Sequence, residues 1–274
     1  MSTLVCFHAH PDDEAIATGG SMARAAAEGH RAVLVVATDG AFGEVPDDLA
    51  EGETLADRRR DETIASAKAL GLHRVEYLGY RDSGMTGWEG NDDPSSFLRA
   101  DVDEAASSLA AVLRDEAADV LTIYDWHGGY GHPDHIQVHR VGKRAAEFVA
   151  GDLPDLRVFE STLNRDEMRR GIALAKAAGE EFGPGDGGFD PDGPMDDGNP
   201  MGTPEAEITL GVDVTGYVEQ KRAALVAHAS QVSDQSFFLQ MPPDRFAQAF
   251  GREWFIEHGT EPTGGGPRIG WLFD

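Results

Sequence analysis

The sequence contains a single cysteine, and its apolar residues never run on for long. Cys6 cannot form an internal disulfide, and its place in the apolar segment 4–7 predicts a small buried hydrophobic side chain. No apolar run approaches the ~20 residues that a membrane-spanning helix needs, and no basic stretch followed by an apolar one marks a signal peptide. These features predict a protein of the reducing cytoplasm that does not contact membranes.

Basic residues are also scarce, because 23 Lys and Arg stand against 49 Asp and Glu, which gives a formal net charge of −26. Nucleic acids and anionic membranes are bound through clustered Lys and Arg, so a surface of this charge repels both. We therefore expect a small molecule as the partner, and neither a nucleic acid nor a membrane.

Chemically informative residues are concentrated near the N-terminus, where residues 8–14 read His-Ala-His-Pro-Asp-Asp-Glu. This segment follows a short apolar stretch that predicts a buried strand, and it precedes an alanine-rich stretch that predicts a helix. Imidazole and carboxylate ligands together suit a borderline cation such as zinc. His10 and Asp13 are three residues apart and can converge across a strand-to-helix turn. Asp12 then projects differently and is free to act on a water molecule.

A second segment of this kind, residues 126–135, reads Trp-His-Gly-Gly-Tyr-Gly-His-Pro-Asp-His. It also follows an apolar stretch and precedes a helix-like one, and six of the ten histidines lie in or just beyond the two segments. A lone histidine is more often a capping or surface residue. Two His-Pro-Asp runs at strand ends instead favour one shared metal site.

Strand-like and helix-like segments alternate along the chain, which predicts an α/β fold: a Rossmann-like, mostly parallel sheet with helices on both faces. Ligands of such folds bind beyond the carboxyl ends of the strands, where both His-Pro-Asp segments fall. Residues 180–204, rich in Gly, Pro and Asp, predict a loop that is either a linker or a lid. We expect a single domain over residues 1–274.

The pattern predicts strands at residues 4–7, 32–38, 75–78, 120–124, 156–161 and 208–214. It predicts helices at residues 15–28, 55–70, 97–118, 136–149, 165–178 and 217–229, before a closing segment at 237–257.

With these two segments the sequence resembles the PIG-L/LmbE-like family of metal-dependent N-deacetylases. The resemblance extends to Arg-Arg-Asp-Glu at 59–62, Tyr-Arg-Asp-Ser-Gly-Met at 80–85 and Ala-His-Ala-Ser-Gln at 227–231, so it covers most of the chain. Members of the family deacetylate N-acetylglucosaminyl-phosphatidylinositol and N-acetylglucosaminyl-inositol. The resemblance implies an LmbE-like fold.

The resemblance also implies a zinc site with His10, Asp13 and His135 as its ligands. Fe²⁺ is the alternative native metal, because the same ligand set also suits it. A catalytic zinc has three protein ligands and keeps a position for water, whose pKa the metal lowers toward ~7. Asp12 is then the candidate general base, which takes the proton of the water and passes it to the leaving amine. Spacing alone does not choose between the two aspartates, and Asp13 is assigned as the ligand from the resemblance.

Three further catalytic candidates lie in the second segment. In the family the residue that matches His132 stabilises the tetrahedral oxyanion, and we expect His132 to do so as an imidazolium. Asp134 is expected to hold His132 charged and oriented. Tyr130 lies in a glycine-rich loop and either donates its hydroxyl to the same oxygen or simply packs as an aromatic side chain.

Arg59, Asp82 and Glu14 are the candidate substrate-binding residues. In the family's pattern an arginine at this place contacts a sugar or inositol group, although three successive arginines also fit a solvated helix face with ion pairs. Asp82 resembles a sugar-hydroxyl ligand and fits a turn residue equally well. Glu14 can instead stabilise the following helix through the helix dipole. His228 is expected to be a structural histidine near the active site.

We therefore predict a zinc-dependent hydrolase that deacetylates an N-acetylglucosaminyl or related N-acyl amino-sugar substrate by attack of an activated water on the amide. An amidase acting on a thiol conjugate or another natural-product amide is the near alternative. A non-haem Fe(II) oxygenase uses the same set of two histidines and one carboxylate and is the alternative from another class. A non-catalytic binding protein with this fold is the third alternative. The sequence is also compatible with an oligomer.

Overall fold

The computed structural model describes residues 1–177 and 189–274. Within these residues one sheet contains eight strands: β1 Thr3–His8, β2 Arg31–Thr38, β3 Arg74–Tyr80, β4 Val120–Tyr124, β5 Arg157–Thr162, β6 Leu210–Asp213, β7 Arg252–Glu257 and β8 Arg268–Gly270.

The helices of the same residues are α1 Asp13–Ala17, α2 Gly19–Ala27, α3 Leu55–Leu70, α4 Val102–Asp115, α5 Pro133–Val149, α6 Arg165–Ala177, α7 Val218–Ala227, α8 Phe237–Gln240 and α9 Pro243–Phe250. In the described part of the chain, no helix combines the length and the apolar character that crossing a bilayer requires.

The strand order is β3-β2-β1-β4-β5-β7-β6-β8. Strands β1 to β5 pair in parallel, whereas β7 runs antiparallel to both of its neighbours. The expected mostly parallel α/β sheet is confirmed. The antiparallel β7 and the edge strand β8 were not predicted; β8 is three residues long and follows a stretch of Gly and Pro, so it carries no readable strand period.

The chain fills the sheet from its middle outwards. From β1 it moves to β2 and β3 on one side, and it later returns to β4 and β5 on the other side. Strand order therefore reverses between β1 and β4, where a crevice opens at the carboxyl ends of the strands. Both His-Pro-Asp segments follow these two strands, so the topology brings them to the same crevice.

Alternate residues of β1 supply the two hydrophobic layers that cover the sheet. Val5 and Phe7 join the layer with α4 and α5, while Leu4 and Cys6 join the layer with α2, α7 and α9. All four side chains are fully buried, as the two-residue period of a strand requires when both faces are covered. Cys6 is thus a buried hydrophobic residue, and its burial raises the pKa of the thiol to about 12.

One expected helix, 15–28, is broken at Thr18 into α1 and α2. Thr18 has φ −137° and ψ 6°, outside the helical region. Its hydroxyl instead lies 2.8 Å from Nε2 of the buried His8. A side-chain hydrogen bond to the end of β1 therefore accompanies a break of one residue between the two helices, and sequence periodicity gives no sign of it.

A second expected helix, 97–118, is also shorter. Phe97–Arg99 forms a separate 3-10 turn, and α4 begins after Asp101, whose carboxylate accepts hydrogen bonds from the two following helical amides. The end of the helix predicted at 165–178 lies outside the described residues, as does the first part of the loop predicted at 180–204.

Helix α3, which carries Arg59, has the ends that its sequence predicts. Thr54 and Asp57 form a reciprocal capping box at the start, and Gly71 ends the helix with φ 74°. A left-handed residue at this place satisfies the last carbonyl groups and favours glycine. The helix that positions one wall of the site is therefore defined locally.

A buried ion pair connects α7 with β7. Lys221 Nζ lies 2.6 Å from a carboxylate oxygen of Glu253, and both side chains are almost inaccessible to solvent. The same carboxylate accepts hydrogen bonds from the amides of Gly20 and Ser21, each at 2.8 Å. Glu253 therefore complements the positive end of α2, and Lys221 balances its charge.

Lys221→Met is expected to lower the free energy of unfolding by about 3–5 kcal/mol, because it leaves the Glu253 carboxylate buried without its cation. Chemical denaturation of the purified variant measures this loss. Lys68→Met, the same substitution on the exposed face of α3, is the matched control and should change stability little. Equal small effects in both variants would contradict the role given to the buried pair.

Candidate metal centre and active site

The two His-Pro-Asp segments meet at a cavity of about 210 Å³. Its walls come from the loops after β1, β2, β3 and β4 and from α3. The cavity is lined by His10, Asp12, Asp13, Phe42, Gly43, Arg59, Asp82, Gly84, Met85, Trp88, Tyr130 and His132.

A more open cleft of about 510 Å³ lies beside α6. Its arginines, Arg169 and Arg170, are paired with carboxylates, and its lining contains no histidine. The smaller cavity holds the converging imidazoles and carboxylates, so it is the candidate site.

His135 has one ring nitrogen that is hydrogen-bonded and one that is not. Its Nδ1 donates to the carbonyl of Gly128 at 3.1 Å, and its ring stacks on Tyr124 at 4.4 Å between centroids. A Cβ on Gly128, which has φ 68°, would come 2.3 Å from the His135 side chain. The close approach of the two residues needs glycine at position 128. The hydrogen bond that it allows places the ring proton on Nδ1 and leaves Nε2 unprotonated. This buried Nε2 has no hydrogen-bond partner among the described residues.

Asp13 lies between the first imidazole and the second. Its Oδ2 is 3.3 Å from His10 Nδ1 and 3.4 Å from His135 Nε2. Atoms that bind one tetrahedral zinc at 2.0–2.1 Å lie about 3.3 Å apart, so these separations fit a shared ion. Burial raises the pKa of Asp13, but His135 and His10 outweigh burial and hold it well below its ordinary value. The carboxylate is therefore ionised, as a metal ligand must be.

Two overlapping groups of ligand-type atoms within 4.8 Å of one another are found in the described residues: His10 with His132 and His135, and His10 with Asp82 and Asp134. Although burial lowers the pKa of His10, the carboxylates around it, Asp82 foremost, hold it well above its ordinary value. Asp13 belongs to neither group, and its place in a metal site rests on its distances to His10 and His135. An imidazole nitrogen without a hydrogen-bond partner and several carboxylates around His10 are the ligand types that suit a divalent cation.

Asp12 has a left-handed backbone, with φ 102°. Its Oδ2 accepts a hydrogen bond of 3.0 Å from Arg59, while the carboxylate also lines the cavity. Burial raises the pKa of Asp12 to about 6, and Arg59 opposes the shift. A carboxylate with a pKa near neutrality is suited to accepting and releasing a proton.

His132 is the N-cap of α5. Its Nδ1 accepts the amide N–H of Asp134 at 3.1 Å, so the ring proton of the neutral imidazole is on Nε2. Burial, together with His10 and His135, places the pKa of His132 far below its ordinary value. The geometry thus differs from the expected imidazolium, because a capping nitrogen must keep its lone pair. A neutral imidazole can still donate from Nε2.

The carboxylate of Asp134 is expected from the sequence to hold His132 charged and oriented, but it instead bonds to Ser83 and lies beside His10. It accepts hydrogen bonds from the amide and the hydroxyl of Ser83, the amide at 2.9 Å, and lies 3.2 Å from His10 Nε2. Asp134 therefore orients His10, and Ser83 orients Asp134. Ser83 belongs to the Tyr-Arg-Asp-Ser-Gly-Met run, but only the fold reveals its partner.

Tyr130 lines the cavity, with its ring 4.9 Å from that of His135 and 6.2 Å from that of His132. Burial raises the pKa of its hydroxyl above the ordinary value, so the group remains a donor. The described part of the predicted loop, from residue 189, packs behind it: the amide of Asp196 bonds to the Tyr130 carbonyl at 3.3 Å.

Arg59 and Asp82 are at the cavity, but both are held by the protein. Arg59 donates to the carbonyl groups of Gly40 and Pro11 and to Asp12. Asp82 accepts the amides of Phe42 at 3.1 Å and Gly84 at 2.8 Å, and so also serves as a turn residue.

Glu14 does not line the cavity, which departs from its grouping with the substrate-binding candidates. It is fully buried, and one carboxylate oxygen lies 2.7 Å from Nε2 of the equally buried His228. Burial alone would lower the pKa of His228, yet Glu14 raises it, so the two form an ion pair. His228 is thus structural, as expected, and its partner is the glutamate of the first segment.

The mouth of the cavity is apolar. Phe42 and Trp88 meet edge-to-face, with centroids 6.0 Å apart, and Met85 lies beside them. The Trp88 side chain is 48% exposed. Only Met85 belonged to a run noted in the sequence. An aromatic residue in the long loop after β3 was the available signal for Trp88, and Phe42 carried none.

Comparison with known proteins gives consistent results. The PIG-L family model, described as GlcNAc-PI de-N-acetylase, matches residues 5–146. A protein of Acidothermus cellulolyticus named 1D-myo-inositol 2-acetamido-2-deoxy-alpha-D-glucopyranoside deacetylase is 38% identical, over 100% of this chain and 94% of its own length. The protein of the same name from Thermobifida fusca is 40% identical, over 96% of this chain and 95% of its own length.

Among solved structures, the N,N'-diacetylchitobiose deacetylase from Pyrococcus horikoshii is similar in fold, with a TM-score of 0.59. It is 21% identical, and the match covers 93% of this chain and 83% of that one. These comparisons confirm the family and the fold expected from the two His-Pro-Asp segments.

His135→Ala is expected to abolish tight binding of one zinc ion per chain, because it removes the orphaned Nε2. Asp12→Ala should keep the ion, since Asp12 is held by Arg59 instead. Metal content after dialysis against zinc and gel filtration measures both. His73→Ala is the control, because His73 directly precedes β3 and so lies at the amino ends of the strands, away from the cavity. Equal metal loss in the Asp12 and His135 variants would contradict this division of labour.

Proposed function

The chain belongs to the PIG-L family, and on this premise we propose that it is a zinc-dependent hydrolase that removes the acetyl group from an N-acetylglucosaminyl substrate. The observation that carries the proposal is that Asp13 Oδ2 lies 3.3 Å from His10 Nδ1 and 3.4 Å from His135 Nε2, while Asp12 lines the same cavity. These four side chains supply a three-ligand catalytic metal set and a separate base.

His10, Asp13 and His135 would hold the zinc ion, which would supply a Lewis acid for the amide carbonyl and lower the pKa of a water molecule. The Asp12 carboxylate accepts a proton from the attacking water and delivers it to the amine nitrogen as the C–N bond breaks. The products are acetate and a free amine. Arg59 keeps Asp12 oriented, and its charge limits the rise in the pKa of that base.

His132 and Tyr130 are suited to stabilise the developing oxyanion. His132 donates from Nε2 as a neutral imidazole, in the tautomer that its capping bond to α5 fixes. Tyr130 offers a hydroxyl that stays protonated at neutral pH. Asp134 contributes indirectly by orienting His10.

The mouth of the cavity suits an amino sugar. The apolar face of a pyranose ring can pack on the indole of Trp88, and Asp82 lies at the wall where sugar hydroxyls would be. Two relatives named as deacetylases of the N-acetylglucosaminyl-inositol compound support that compound as the first substrate to test.

The identity of the metal and the cellular setting belong to the same proposal. Two histidines and one carboxylate suit zinc, and they also suit Fe²⁺. The single cysteine and the net charge of −26 support a cytoplasmic protein that binds no nucleic acid. The one sheet formed by the described residues supports a single domain.

The zinc-loaded protein is expected to release equimolar acetate and free amine from 1D-myo-inositol 2-acetamido-2-deoxy-alpha-D-glucopyranoside, at the same rate with and without oxygen. Amine labelling of a panel that includes free N-acetylglucosamine, thiol-conjugate amides and this compound measures the preference. Turnover that requires oxygen would support the oxygenase instead. Cleavage of the thiol conjugates alone would identify the other amidase activity.

The value of kcat/KM is expected to fall about tenfold per pH unit below a midpoint near pH 6, because Asp12, with its raised pKa of about 6, accepts a proton only when ionised. Arg59→Met should move this midpoint to higher pH, since the arginine lowers the pKa of Asp12. Steady-state rates from pH 5 to 8 measure both. A midpoint that does not respond to Arg59→Met would show that another group controls the acid limb.

A further inference from the structure

The buried cluster of Glu14, His228 and Ser66 lies directly behind the candidate base. One Glu14 oxygen accepts hydrogen bonds from Ser66 Oγ at 2.5 Å and from His228 Nε2 at 2.7 Å. The other oxygen accepts the amide N–H of Asp12 at 3.0 Å. The Asp12 main chain is therefore bound to a carboxylate that is itself held in place from α3 and from the end of α7.

The hydrogen bond from the Asp12 amide to Glu14 holds a residue with a strained backbone. Asp12 has φ 102°, a backbone conformation that is strained for a residue with a Cβ, so surrounding contacts must maintain it. Two contacts do so. The hydrogen bond from the Asp12 amide to Glu14 holds the main chain, and the hydrogen bond of 3.0 Å from Arg59 holds Oδ2 of Asp12. A hydrogen bond to a charged acceptor is the stronger type.

We propose that Glu14 is a positioning residue for catalysis, held by His228 and Ser66, which keeps Asp12 in the left-handed conformation that directs its carboxylate into the cavity. The inference rests on the proposed function, because it gives Asp12 the role of base. The inference replaces the substrate-binding role expected for Glu14, because the Glu14 side chain is fully buried and does not line the cavity.

The neighbouring residues of the His-Ala-Ser-Gln run provide a matched control. Ser230, two residues after His228, donates from its amide and its hydroxyl to Glu62 of α3, at 2.7 and 2.6 Å. Ser230→Ala thus removes a hydrogen bond to another carboxylate of the same wall and leaves the contacts of Glu14 intact. A general loosening of the fold would affect both places, whereas positioning is specific to Glu14.

Glu14→Ala is expected to lower kcat roughly 10- to 100-fold, the effect of one lost charge-assisted hydrogen bond, with KM and zinc content unchanged. Glu14→Gln should recover most of the rate, because its amide oxygen can still accept the Asp12 N–H. Ser230→Ala should keep the wild-type rate. In an Asp12→Asn background, Glu14→Ala should add little further loss, since residues that act as a unit are not additive. A fall in KM, a full additive loss, or no loss at all would overturn the proposal.

Amide hydrogen exchange at Asp12 gives a readout that does not need turnover. Protection of this amide should be lost in Glu14→Ala, partly kept in Glu14→Gln and unchanged in Ser230→Ala. Protection that persists in Glu14→Ala would overturn the positioning role even if the wild-type protein deacetylates nothing on the panel. Wild-type protein without amine release would count against the proposed function alone, so the two failures are distinguishable.

Discussion

The parallel pairing of β1 with β4 is the constraint from which the candidate site follows. Leu4, Val5 and Cys6 are in register with Val120, Leu121 and Thr122, so the two strands end at the same edge of the sheet. The strand order reverses between them, and the crevice that opens there receives both His-Pro-Asp segments. One carboxylate oxygen of Asp13 then lies 3.3 Å from Nδ1 of His10, in the same segment, and 3.4 Å from Nε2 of His135, in the other segment.

Charge balance in a buried environment gives each acidic side chain of the first segment a different role. Asp13 faces two imidazoles and is ionised; Asp12 faces Arg59 and keeps a pKa of about 6. Glu14 faces His228 on the far side of the main chain and has no access to the cavity. Three successive acidic residues thus become a candidate ligand, a candidate base and a candidate support, because their partners differ.

Local sequence was sufficient for β1 and α3, two of the elements that carry the site. The capping box at Thr54 and the left-handed Gly71 define α3 from residues within a turn of each end. The alternation in β1 follows from burial on both faces. The family resemblance likewise needed only the two short segments, because metal ligands at strand ends are carried by few residues at fixed spacing.

The sequence determined the parallel part of the sheet and the place of the two His-Pro-Asp segments at strand ends, while the choice between Asp12 and Asp13 as ligand came from the family resemblance. The tertiary structure decided which side chains the acidic residues of these segments contact. The Asp134 carboxylate contacts Ser83 and His10 rather than His132, two residues before it, which is neutral because its Nδ1 caps α5. Glu14 finds His228 across 214 positions of sequence. Such pairs are set by which strands and helices become neighbours, and a pattern read along the chain contains no distances through space.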